Sequence, residues 1–107
     1  FQALQHKAAD MFAECELCKG TMILAAIKAD IDDRDERRSE ISAAKTQLGT
    51  GGWFVQKNAL QLHGGIGITD EYDVGLFFKR VEVLSKLFGD ANWHIERYRS
   101  LERFQQD

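Results

Sequence analysis

Apolar residues recur at helical spacing from Phe1 to about Ile31. Leu4, Ala8, Met11, Phe12, Cys15, Met22, Ala25 and Ala26 form one stripe, the pattern of an amphipathic helix. Gly20 is its only interruption, and a glycine costs about 1 kcal/mol against alanine in a helix interior, so one long helix is expected. Residues 30–40 mix acids with arginines. Such a run reads as a solvated turn between helices, a docking surface being the other reading. Asp33 and Glu36 have capping-box spacing, which starts a second helix there. Ile41, Ala44, Leu48, Val55, Ala59 and Leu62 continue a helical face, interrupted by Gly49, Gly51 and Gly52. Three glycines cost roughly 3 kcal/mol in a helix interior, so local propensity argues for a break at Leu48. The alternative is a single helix whose small residues let a neighbour approach.

A glycine-rich segment follows, His63-Gly64-Gly65-Ile66-Gly67-Ile68-Thr69-Asp70, with Thr69 or Asp70 placed to cap the next helix. Val74, Phe77, Phe78, Val81, Leu84 and Leu87 make a third helix, and Gly89 reads as its stop. A fourth runs from Ala91 to about Phe104, with Trp93, Ile95, Tyr98 and Leu101 as its apolar residues. Four helices without strand alternation predict an all-α four-helix bundle, one domain over residues 1–107.

Composition narrows the function classes. The net charge of -3 over 107 residues leaves no basic footprint for nucleic acid. No apolar run approaches the length of a membrane span, and no secretory signal is visible, so a cytoplasmic location is expected. The chain lacks proline and opens on phenylalanine already inside a helical pattern. It reads as a piece of a longer protein.

Few residues point to chemistry. Cys15 and Cys18 are three apart in mid-helix, without the further ligands a zinc site requires or the setting of a redox pair. They read as small core-facing residues, and no metal site is expected. His6, His63 and His94 lack the spacing of a helical metal pair; His6 and His94 read as surface or hydrogen-bonded structural residues. The glycine segment is different, because closely spaced glycines expose N–H groups and admit a phosphate where a Cβ would collide.

Its flanks are specific. Gln61-Leu62-His63-Gly64-Gly65-Ile66-Gly67 resembles the Gln-x-x-Gly-Gly-x-Gly signature of the acyl-CoA dehydrogenase family. The segment starting at Gln2 is similar to the one after that family's Arg-x-x-Phe-Gly motif, and Ala43-Ala44-Lys45 fits a small-small-Lys in its next helix. The resemblance covers essentially the whole chain and implies the C-terminal helical domain of an FAD-dependent enzyme that desaturates acyl-CoA thioesters. It favours one helix through Gly49, Gly51 and Gly52. It also implies that Gln61, Leu62, His63, Gly64 and Gly65 contact the ADP half of a neighbouring subunit's FAD, with Gln2 reaching the same half. A homo- or hetero-tetramer, an acyl-CoA substrate bound by the full-length protein and an electron-transfer flavoprotein as electron acceptor are implied with it.

One position departs from the family. Counting without gaps from Gln61 puts Phe88 where many members carry the glutamate that removes the α-proton. A phenyl ring accepts no proton, so no catalytic residue is assigned in this chain. Asp90 and Asn92 match positions near the flavin and its ribityl-phosphate side, where the family usually has Thr and Gln. Phe88-Gly89-Asp90 with His94, preceded by Lys79-Arg80, is similar to the small, base-lacking subunits of two-component dehydrogenases of the pimeloyl-CoA type. The other readings are a base on the helix preceding Phe1, a non-catalytic structural subunit, or a monooxygenase or oxidase on the same fold.

Overall fold

The computed structural model describes residues 2–64 and 73–101. Among them are four helices, α1 (Gln2–Lys28), α2 (Arg34–His63), α3 (Asp73–Lys86) and α4 (Ala91–Ser100), and no strand. The all-α class agrees with the hydrophobic pattern. Within the four-helix arrangement α2 is the common partner: among the described residues α1, α3 and α4 each lie chiefly against it and touch one another little. The radius of gyration of 16.3 Å exceeds the roughly 13 Å of a compact domain of this length.

The turn between α1 and α2 is short, and the charge run mostly belongs to α2. Asp33 is the N-cap, its carboxylate accepting from the Glu36 N–H at 3.0 Å, which satisfies an otherwise orphaned donor. Glu36 turns instead to Lys28, whose ammonium donates to it at 3.1 Å. Arg37 donates to the Ile31 carbonyl at 2.8 Å, and Ser39 is fully buried. The expected solvated turn is therefore confined to residues 29–33. The rest of the run is helical because its side chains find partners across the turn.

No break occurs at Leu48, and packing explains why. A Cβ on Gly51 would lie 2.7 Å from Glu14 Oε1 and 2.8 Å from Cys18 Sγ, both on α1. One on Gly49 would meet Ala91 Cβ of α4 at 3.2 Å, and one on Gly52 would meet Val81 Cγ1 of α3 at 3.3 Å. Each glycine receives a different helix. Tertiary contact overrides the propensity cost, and α2 is the spine of the domain.

The helix α1 faces α2 with Lys7, Met11, Glu14, Cys18, Thr21, Ala25 and Lys28, all half-buried and spaced alternately four and three apart. This seam is partly polar: Gln47 donates its amide to Glu14 at 2.7 Å. The larger apolar residues point away from it. Phe12 is 67% exposed and Ile27 63%, and Leu4, Leu17, Met22, Ile23 and Leu24 are also exposed. The expected inward stripe is thus corrected at Leu4, Phe12 and Met22. Cys15 is exposed rather than core-facing, while Cys18 is half-buried against α2, where burial pushes its thiol pKa up. Among the described residues only Ala44 and Leu101 are buried hydrophobic side chains.

The third helix begins and ends close to expectation, at Asp73 and Lys86. The fourth runs to Ser100, where Leu101 turns extended at φ -76°, ψ 146°; Phe104, the expected end, lies outside the described residues. Thr69 and Asp70, the expected caps, lie outside the described residues.

Candidate functional site

The sequence motif sits at the C-terminal end of α2. Gly64 is its C-cap with φ 62° and ψ -148°, a backbone region that essentially only glycine occupies. Its N–H donates to the Gln61 carbonyl. Among the described residues no atom lies within 4 Å of the position a Cβ would take, so none of them covers this backbone. Gln61, Leu62 and His63 are exposed beside it. The ammonium of Lys7 on α1 donates to Gln61 Oε1 at 2.9 Å. Since α1 runs antiparallel to α2, Gln2 lies at this same end, one to two turns beyond Lys7. Gly65 lies outside the described residues.

Asp90 and Asn92 are elsewhere. They line a cleft of ≈ 220 Å³ with Gly49, Thr50, Trp53 and Lys86, between the middle of α2 and the α3–α4 turn. Twelve residues separate Gln61 from Gly49, roughly 18 Å along a helix. One chain therefore does not bring its two groups of candidate residues together. Asp90 also has a structural role as the N-cap of α4, accepting from the Trp93 N–H at 2.9 Å.

The α3–α4 turn holds a cluster that the sequence did not point to. His94 and Ser42 are buried, with Ser42 Oγ 2.9 Å from His94 Nδ1. Arg97 Nε donates to Ser42 Oγ at 2.6 Å, and its terminal nitrogen donates to the Arg38 carbonyl at 3.4 Å. His94 Nε2 lies 3.0 Å from the Phe88 carbonyl. The donor inventory fixes the direction of this chain of bonds. A carbonyl only accepts, so Nε2 bears the hydrogen. A guanidinium only donates, so the serine hydrogen goes to Nδ1. The relay runs Arg97 to Ser42 to His94 to Phe88, and it requires a neutral imidazole.

Electrostatics agree with that assignment. Burial lowers the His94 pKa below the ordinary 6.5; the Phe88 carbonyl raises it, Arg97 and Lys45 lower it, and Asp90 raises it, burial being the largest effect. Burial likewise lowers the Arg97 pKa. For His94 the unfolded chain binds more protons than the folded one between the depressed and the ordinary value, so stability rises with pH across that window. Full stabilisation is present above the ordinary value and is lost as pH falls below it. Melting temperature of the full-length protein against pH should show this dependence, and His94→Asn should flatten it.

Comparison with known proteins decides the family. The pattern described as "Acyl-CoA dehydrogenase, C-terminal domain" matches residues 1–99. The chain belongs to the acyl-CoA dehydrogenase family. It is 32% identical over 99 residues to "Acyl-CoA dehydrogenase IpdE2" of Mycolicibacterium smegmatis, covering 91% of this chain and 29% of that protein. It is 31% identical over 102 residues to the protein of the same name from Mycobacterium tuberculosis, covering 94% and 29%. It is also 31% identical over 85 residues to a "3-(aryl)acrylate reductase" of Clostridium sporogenes, covering 79% and 22%. No solved structure matches. This acyl-CoA dehydrogenase domain thus spans under a third of the length of the relatives it matches.

In this acyl-CoA dehydrogenase domain, residue pattern could locate the glycine cap but not the buried relay. Ser42 is 52 residues from His94 and 55 from Arg97. Nothing local marks Ser42 as different from Ser39, which is equally buried but donates only to the Glu36 carbonyl of its own helix. His94 met the expectation of a hydrogen-bonded structural histidine.

Proposed function

We propose that this chain is the FAD-binding and oligomerisation part of an acyl-CoA dehydrogenase-like oxidoreductase acting between Cα and Cβ of acyl-CoA thioesters. The observation that supports this best is the glycine-capped end of α2. Gly64 presents a backbone that no described residue covers, Gln61 offers an exposed amide, and Lys7 places a cation beside it. These features fit the adenine and pyrophosphate half of a dinucleotide. Gln2, Gln61, Leu62, His63, Gly64 and Gly65 would hold the ADP half of a neighbouring subunit's FAD. Asp90 and Asn92, far from that end in one chain, would approach the flavin side of a different cofactor. The separation of the two groups along α2 is what a site shared between subunits requires.

FAD held by these residues would supply the hydride acceptor for the β-hydrogen, and an electron-transfer flavoprotein would be the partner that collects the electrons. The α-proton needs a base, and Phe88 offers none. The reading we favour is a base supplied by a partner subunit in a two-component tetramer, the alternative being one on the helix that precedes Phe1. The name of the Clostridium relative, an acrylate reductase, describes the opposite direction of the same change at Cα–Cβ. The many large apolar residues that α1 leaves exposed, among them Phe12 and Ile27, support assembly, since exposed apolar surface of this kind is commonly covered by a partner.

Activity measurements separate the sources of the base. Acyl-CoA oxidation by the full-length protein is expected only when it is purified with its partner subunit. Full activity of the homo-oligomer alone would place the base elsewhere in the same protein. Phe88→Glu alone is expected to leave the homo-oligomer inactive.

A further inference from the structure

The backbone of Phe88 is left-handed, with φ 61°, and it is the only non-glycine residue at positive φ among those described. A bulky residue there is a true outlier, because its Cβ crowds the following carbonyl. Nothing among the described residues rewards the choice of phenylalanine, since its side chain is 86% exposed. Gly89, next in the chain, is also at positive φ, 102°. A Cβ on Gly89 would lie 3.1 Å from both His94 Nε2 and Trp93 Cε3. Phe88, strained, and Gly89, which adopts positive φ freely, therefore turn tightly under the imidazole.

Such strain persists only where the surroundings over-determine it, and here they do. Lys45 on α2 donates to the Leu84 and Ser85 carbonyls at 3.2 and 3.3 Å, anchoring the last turn of α3. The Gly89 N–H donates to the Lys86 carbonyl at 3.2 Å. Asp90 starts α4. The Phe88 carbonyl receives His94, which is itself fixed by Ser42 and Arg97.

We propose that Ser42, His94 and Arg97 are positioning residues that clamp the Phe88 carbonyl, hold this residue left-handed and so project its ring outward from the domain. The proposal rests on the proposed function only for the meaning of the position, where many family members carry their catalytic glutamate. On that reading the clamp delivers an apolar ring, in place of an acid, to the acyl-CoA site. The clamp itself stands on the geometry of this chain. Release of the imidazole would let the turn relax to a conformation that phenylalanine adopts without strain. Glycine at position 88 would have no such incentive to leave.

Hydrogen exchange across residues 84–93 of the full-length protein tests this. His94→Asn should speed exchange roughly tenfold, the factor that left-handed strain represents once its restraint is lost. Phe88→Gly added to His94→Asn should return exchange to about the wild-type rate, because glycine holds the left-handed conformation unaided. A double variant that exchanges as fast as His94→Asn would overturn the proposal, since a clamp that merely packs α4 on α2 gives no such rescue. Should His94→Asn fail to fold, Phe88→Gly alone decides. Exchange equal to or slower than wild type supports the clamp, and faster exchange overturns it. Neither readout depends on flavin, so a colourless protein would sink the proposed function without touching this result.

Discussion

Ser42→Ala in the full-length protein should lower stability by about 3 kcal/mol, the cost of stranding buried polar partners when one is a cation. The serine hydroxyl accepts from Arg97 and donates to His94, so alanine leaves a donor and an acceptor unsatisfied at once. Ser39→Ala is the internal control. Ser39 is as deeply buried as Ser42, yet its hydroxyl serves only a carbonyl three residues earlier in the same helix. That variant should lose less than about 1 kcal/mol. Denaturation midpoints, with exchange rates along α4, distinguish the two. Equal losses would mean that burial rather than the relay sets the cost.

Gly51→Val should detach α1 from α2. The valine Cβ would fall within 3 Å of Glu14 Oε1 and Cys18 Sγ, and overpacking of this kind costs about 1–3 kcal/mol. That sum is large for α1, which contributes no fully buried side chain to the domain. Its seam depends on close approach, on Gln47 to Glu14 and on the half-buried stripe from Lys7 to Lys28. Separation would also part Lys7 from Gln61. Limited proteolysis should then cut within residues 2–28 while α2 and α4 stay protected. Unchanged resistance would show that α1 is held by contacts outside this pair.

How much of this was legible in the sequence depends on the range of the interaction. Asp33 and Gly89 act within a few residues, so the start of α2 and the stop of α3 follow from their chemistry. Continuity through Gly49, Gly51 and Gly52 was not decidable locally, because its cause is three different helices seated on those residues. The stripe on α1 misled for a related reason. Periodicity shows that a face exists but not what covers it, and the largest apolar residues of α1 face away from α2. Candidate site residues at Gln61 and Gly64 were legible as a motif. Their distance from Asp90 and Asn92 was not, since only the folded length of α2 sets it.

If the glycine-capped end of α2 holds part of an FAD in the assembled protein, flavin must accompany the protein through purification. The most direct measurement is the visible spectrum of the full-length protein purified with its natural partner. A yellow protein is expected, with flavin absorbance near one FAD per intact site and a clear deficit in Gly64→Val, where a branched residue cannot adopt the φ of 62°. A colourless preparation that takes up no added FAD would contradict this role for the α2 terminus.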